Sequence, residues 1–337
     1  MMFGKKTLID EITERAIAIN KQSRRTLVFA DTTDTVLLAC EEIIRKNIAK
    51  PLILGEKKDI LRSLRRLRLS SITDHHILDY RDEENKAQLT DFAKEYQEMR
   101  SRDGKQINAE EALAKITQPH YYGAMLVHRE LADGMITGMT SETKPYFPVF
   151  EIIKTRDDVK RVSGLFIMSR DDKTFFFADC AINIDPNPEQ LAEIALVTAE
   201  TVINFGVKPK IAMLSFSTRD SAKHAFVDKV KAATKIVKEK NSGLVIDGEI
   251  QLDAAIIPAI AEKKCAGSPL AGEANVLIFP DLDAGNIGYK LVERLGGFKA
   301  IGPIMQGTRK PINDVSRGCS TRGIVDLAAI TVLQGLQ

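Results

Sequence analysis

Short apolar runs separated by helix-length stretches recur along most of this chain, and that alternation constrains its fold more than any other feature. The runs cover 26–30 (TLVFA), 51–54 (PLIL), 164–168 (GLFIM), 174–178 (TFFFA), 211–215 (IAMLS), 244–246 (LVI) and 276–279 (VLIF). Continuous apolar runs this short suit parallel strands covered on both faces. Helical patterns lie between them, for example over 189–205 and 222–238. Strand–helix alternation predicts an α/β fold with parallel sheets. At 337 residues the chain is long for one domain and comfortable for two. The polar segment 137–146 (TGMTSETKPY) reads as a loop, with a domain boundary near 150, and the charged stretch 82–108 reads as surface helix.

Several function classes are disfavoured. Charges nearly balance, with a net +2, so no global field marks a nucleic-acid or membrane protein. Arg62, Arg65, Arg66 and Arg68 interleave with Leu61, Leu64 and Leu67, but no aromatic platform accompanies them. They read as the solvated face of an amphipathic helix. Cysteines 40, 180, 265 and 319 form no CxxC pattern and suggest a reducing compartment. The N-terminus runs into an amphipathic helix pattern without a secretion-signal core, and no apolar run reaches membrane-span length. The expectation is a cytoplasmic protein. No GxxxxGK[ST], strand-linked GxGxxG, HExxH or paired-histidine spacing occurs, which argues against a kinase, a dinucleotide dehydrogenase and a zinc hydrolase.

Ligands of α/β proteins bind beyond the carboxyl ends of strands, where loops meet helix N-termini. Three turns stand there. The first, 215–221 (SFSTRDS), offers the hydroxyls of Ser215, Ser217, Thr218 and Ser221, an arginine and free backbone N–H groups, a set suited either to a phosphate or to a serine-rich helix cap. The second, 279–286 (FPDLDAGN), opens a helix that carries Arg294, with Asp283 or Asn286 as its cap. The third, 313–320 (NDVSRGCS), precedes a final helix with apolar Ile324, Leu327, Ala328 and Ile330 on one face. Its Ser316, Arg317 and Gly318 make a compact anion cradle: glycine permits close backbone approach, and arginine grips phosphate oxygens bidentately.

FADCAINIDP (177–186), AMLSFST (212–218), DGEIQLDAA (247–255), ANVLIFPDLDAGNIGYKLVERLGG (274–297) and GPIMQGTRKPINDVSRGCS (302–320) together resemble the phosphate acetyl- and butyryltransferase family. The match keeps one order and spacing over roughly the last two-thirds of the chain; the first hundred residues resemble the family only loosely. The resemblance implies two αβα domains with a cleft between them, on a scaffold like isocitrate and isopropylmalate dehydrogenases. Residues 1–150 with 306–337 would form the first domain, and 151–305 the second, which would carry a homodimer interface. It implies reversible acetyl transfer between coenzyme A and inorganic phosphate by direct thiol attack on acetyl phosphate. Coenzyme A is then a substrate, with no permanently bound cofactor and no metal. By resemblance Arg317 binds the phosphoryl group and Ser316 positions the thiol or carbonyl. Arg294 adds positive charge together with Lys290, Asn286 and the 215–221 hydroxyls line the substrate site, and Arg100 with Arg102 meets the phosphates of coenzyme A.

Three positions depart from the family pattern. Many members carry an acid, resembling a general base for the thiol, seven residues after the serine of the Ser-Arg-Gly turn; here it is Gly323. Asp326, one helical turn on, is the substitute, with Asp314 a second candidate or a brace for the turn. Asp220 replaces a usual glycine, and aspartate tolerates the left-handed backbone that glycine supplies. Phe147 replaces a usual arginine, with Lys144 nearby to cover part of its role. The competing expectations are a propionyl- or butyryl-specific transferase and a catalytically weakened acyl-coenzyme A sensor.

Overall fold

The seven apolar runs fold as strands within a few residues of their expected bounds. The computed structural model describes residues 6–140 and 148–336. It divides into a middle unit, Asp157–Gly307, and a flanking unit that joins Leu8–Arg156 to Thr308–Gln337.

The flanking unit holds a five-stranded sheet in the order β11-β4-β1-β2-β3. These strands are β1 (Thr26–Phe29), β2 (Lys50–Leu54), β3 (Ile77–Leu78), β4 (Gly134–Thr137) and β11 (Ile312–Asp314). Every pairing is parallel. The chain runs from β1 outward through β2 to β3, then returns to lay β4 on the other side of β1. This reversal puts a topological switch point between the carboxyl ends of β1 and β4. The C-terminal helix Thr321–Gln334 packs against helices Leu8–Gln22 and Asp34–Arg45. It is buried from Ile324 to Gln334, on more than the single face that the periodicity suggested. Asn313, fully buried, locks β11 to this helix by donating to Thr331 Oγ1 at 2.9 Å and Gln334 Oε1 at 2.7 Å. The basic stretch forms helix Lys57–Leu67. Ile60 and Leu64 face inward there, while Arg66 reaches Asp34 on the surface.

The middle unit holds a six-stranded sheet in the order β10-β5-β6-β9-β7-β8. Its strands are β5 (Ser163–Arg170), β6 (Lys173–Ala178), β7 (Lys210–Leu214), β8 (Val245–Ile250), β9 (Val276–Ile278) and β10 (Lys299–Gln306). β6, β9, β7 and β8 are parallel, as the apolar runs predict. β5 is not, for it pairs antiparallel with both β6 and β10. The cause is local: Arg170 pairs with Lys173, leaving Asp171-Asp172 as a two-residue hairpin loop with Asp171 at φ 54°. Apolar content alone cannot separate such a hairpin from two parallel strands. One core cluster of this unit joins Phe166, Phe177, Ala212, Leu214, Ile250 and Leu277.

Candidate active site

The third turn is the most open of the three. β11 ends at Asp314, and the Val315 N–H donates to the Thr137 carbonyl at 2.9 Å. Cys319 N–H closes a tight turn onto the Ser316 carbonyl at 2.9 Å. Ser320 caps the last helix, its Oγ accepting from Gly323 N–H at 3.1 Å. Between these fixed ends Ser316, Arg317 and Gly318 are exposed, and Arg317 has no ion-pair partner among the described residues.

The carboxylates around this turn differ sharply. Asp326 is fully buried rather than an exposed helix residue, and Arg322 Nε donates to it at 2.8 Å. Full burial together with this ion pair argues against the catalytic part expected of it. Asp314 is half-buried, and its Oδ1 is enclosed without a hydrogen-bond partner among the described residues. Burial, reinforced by the nearby charge of Asp31, pushes its carboxyl up to about 7, although the Val315 N–H pulls the other way. Asp31, at the end of β1, accepts from the N–H groups of Gly138 at 2.8 Å, Met139 at 3.2 Å and Thr140 at 3.0 Å, and from the Thr140 hydroxyl. Gly138 has φ +120°, and a Cβ there would stand 1.9 Å from Asp314 Oδ1. Only glycine lets the two strand ends approach so closely. Lys144 and Phe147 lie outside the described residues.

The first turn is drawn inward around Glu249, which is buried at the end of β8. Ser217 Oγ donates to Glu249 Oε1 at 3.0 Å, and Asp220 N–H donates to the same oxygen at 2.7 Å. Three further backbone donors of this turn also have acceptors. Ser217 N–H reaches Ser215 Oγ at 3.2 Å, Thr218 N–H reaches Ser221 Oγ at 3.1 Å, and Ala222 N–H reaches Ser217 Oγ at 3.2 Å. Most N–H groups of the turn are therefore spent within it, and it does not cap a helix directly, since the next helix starts at Ala225 with His224 as cap. Arg219 and Asp220 adopt left-handed φ of 47° and 64°, and the Asp220 carboxylate turns out to Lys231. Sequence reasoning passed over Glu249, although a lone glutamate in the strand VIDGEI was a signal that could have found it.

In the second turn the cap of helix Leu282–Arg294 is Asp281, accepting from Ala284 N–H at 2.9 Å, instead of Asp283 or Asn286. Asn286 donates to the Cys180 carbonyl at 3.1 Å and accepts from Lys290 Nζ at 2.6 Å. The neighbouring Asp179 is buried and accepts from Gly164, Ala181, Ile182 and Asn183 N–H groups. Arg294 ends the same helix, eight residues or roughly 12 Å beyond Asn286, with its side chain 80% exposed beside Glu293.

The two early arginines separate. Arg100 is buried with its guanidinium between Glu151 at 3.4 Å and Asp103 at 3.5 Å. Glu151 also takes the hydroxyls of Tyr96 at 2.7 Å and Tyr121 at 2.8 Å. Arg102 is exposed beside Glu98. Among the described residues no group of three or more His, Cys, Asp or Glu is arranged to hold a metal ion, and no helix is long and apolar enough to cross a membrane.

Two parallel-dominated α/β units, with an open Ser-Arg-Gly turn after a parallel strand, make a scaffold of the dehydrogenase-like α/β type. In fold it is similar to 4-hydroxythreonine-4-phosphate dehydrogenase from Klebsiella pneumoniae, at a TM-score of 0.51 and 12% identity, over 93% of this chain and 99% of that one. The particular family is given by a family model described as phosphate acetyl/butaryl transferase, which matches residues 7–332, and the chain belongs to that family. It is 42% identical over 316 residues to a phosphate acetyltransferase of Bacillus subtilis, covering 92% of this chain and 94% of the relative. It is 40% identical to a phosphotransacetylase of known structure from Streptococcus pyogenes, at a TM-score of 0.89 over 98% of both chains.

Proposed function

We infer that this chain catalyses the reversible transfer of an acetyl group between coenzyme A and inorganic phosphate: acetyl-CoA + phosphate ⇌ acetyl phosphate + CoA. The observation that carries the reading is the exposed Ser316–Arg317–Gly318 turn, whose guanidinium is unpaired among the described residues, in a chain that matches the transferase family almost end to end. In the direction of thioester synthesis the thiol sulfur attacks the acetyl carbon and the carbon–oxygen bond to phosphate breaks. Arg317 binds the phosphoryl group and neutralises the charge that gathers as phosphate departs. Ser316 orients the thiol or the carbonyl. Ser215, Ser217, Thr218, Ser221 and Asn286 shape the substrate site, mainly by holding its loops. Arg294 and Arg102, both solvated, lend positive charge to the phosphates of coenzyme A. Arg100 acts from beneath, bracing Glu151, and Asp326 braces Arg322.

The active form is a homodimer joined through the middle unit. Ile287 and Leu291 on helix Leu282–Arg294, with Leu295 just past its end, support this, since all three are exposed at four-residue intervals. The protein works in the cytoplasm, in keeping with four free cysteines.

The test is to mix purified protein with coenzyme A and acetyl phosphate and follow thioester absorbance, with propionyl and butyryl phosphates in parallel. Acetyl-dependent signal is expected, and Arg317→Ala should lower kcat by about 10²–10³-fold. Absence of signal with every acyl phosphate, while coenzyme A still binds in calorimetry, would replace the transferase with a sensor. A preference for the longer acyl groups would change the substrate and leave the chemistry standing.

A further inference from the structure

A thiol near neutral pH is mostly protonated, so an acyltransferase gains from a group that takes its proton. Gly323 cannot do so, and Asp326 is sealed against Arg322. One carboxyl remains on the Ser-Arg-Gly turn itself. Asp314 ends β11, two residues before Ser316, beside the switch point between β1 and β4 where open parallel sheets bind ligands. The glycine at 138 lets its carboxyl lie against the β4 strand end, opposite Asp31. Asp31 accepts from four donors, whereas Asp314 Oδ1 has none among the described residues.

We propose that Asp314 is the general base that takes the thiol proton of coenzyme A in this chain. The inference rests on the acetyltransferase reading. As the sulfur–carbon bond forms, the sulfhydryl proton passes to the Asp314 carboxylate. The acetyl carbon–oxygen bond breaks, its electron pair stays on the phosphate oxygen, and phosphate leaves against Arg317. Asp314 then returns the proton to solvent; in the reverse direction it gives a proton to the departing thiolate. The charged and titratable surroundings suit a carboxyl that changes state near neutrality. Asp31 faces it from the end of β1. His120, on helix Pro119–His128, lies near Asp31 and is held toward its neutral form by burial. Arg317 follows three residues on in the same turn.

The experiment compares kcat, both KM values and the pH dependence of kcat for the wild type, Asp314→Asn, and Asp314→Asn combined with Gly323→Asp, with thermal melts of each. The expected result for Asp314→Asn is a fall in kcat of about 10²–10⁴-fold with KM values within about threefold, and loss of the acidic limb of the profile. Restoring an acid at position 323 should return at least about tenfold of that loss. A Cβ there would crowd only the Cys319 sulfur, 2.8 Å away at the end of a flexible side chain. Asp314→Asn with unchanged kcat and an intact acidic limb overturns the proposal, as does a raised KM or lowered melting point with the limb unmoved. If Asp314→Asn does not fold, a wild-type profile that is flat between about pH 5 and pH 8 overturns it instead. A wild type that makes no acetyl-CoA at any pH defeats the acetyltransferase reading itself.

Discussion

Asp314 and Glu151 show how burial and pairing set opposite signs on two carboxyls of one unit. Burial raises Asp314 to about 7, so the native state holds a proton there that an unfolded chain releases at a lower pH. Its contribution to stability is therefore greatest below about pH 4 and declines as pH rises toward 7. Asp314→Asn should flatten the stability profile across that window, as read by urea melts at several pH values. Burial also acts to raise Glu151, but the Tyr96 and Tyr121 hydroxyls and Arg100 outweigh it and leave it lowered. Its contribution is present above the ordinary glutamate range and is lost as pH falls through the depressed value. Arg322→Ala removes a donor from the buried Asp326 and should cost on the order of 2 kcal/mol while leaving both KM values alone, measurable by melts alongside steady-state kinetics.

At the scale of elements, close approach decides the second turn. A Cβ on Gly285 would stand 2.3 Å from the Asp179 carbonyl oxygen, so this helix start can dock there only with glycine. Gly285→Ala should destabilise the protein by about 1–3 kcal/mol, lowering the melting temperature more than any substitution at the exposed Arg294. The N-cap of the last helix is a milder case. Ser320→Ala removes one side-chain acceptor and should cost about 1 kcal/mol in the same melts. The β5–β6 hairpin belongs here too. Its two-residue aspartate loop was legible in the chain, yet two adjacent apolar runs outweighed it, because run length says nothing about strand direction.

For the whole molecule, the exposed apolar residues on helix Leu282–Arg294 and at its C-cap bear on the proposed assembly. Exposed Ile287, Leu291 and Leu295 are the surface that the proposed dimer would cover. Replacing Leu291 and Leu295 by arginine should convert a dimer to a monomer in sedimentation experiments; an unchanged sedimentation coefficient would move the interface elsewhere.

What the sequence by itself determined is what local chemistry encodes. Apolar run length marked seven strands, and the order of motif blocks pointed to the family. The Ser316–Arg317–Gly318 turn could be read because serine, arginine and glycine between a strand and a helix carry their own meaning. Short or interrupted strands escaped: β3 has two residues, and β10 shifts register between Ile301 and Ile304. Only the tertiary structure decided which charges stay open. Arg100 was expected at the phosphates of coenzyme A and Asp326 as a base, and both are enclosed with opposite charges. Asp31 is committed to N–H groups 107 and more residues away, and that pairing leaves Asp314 the carboxyl with acceptor capacity unspent. Desolvation and charge pairing act through space, between residues that only the folded chain makes neighbours.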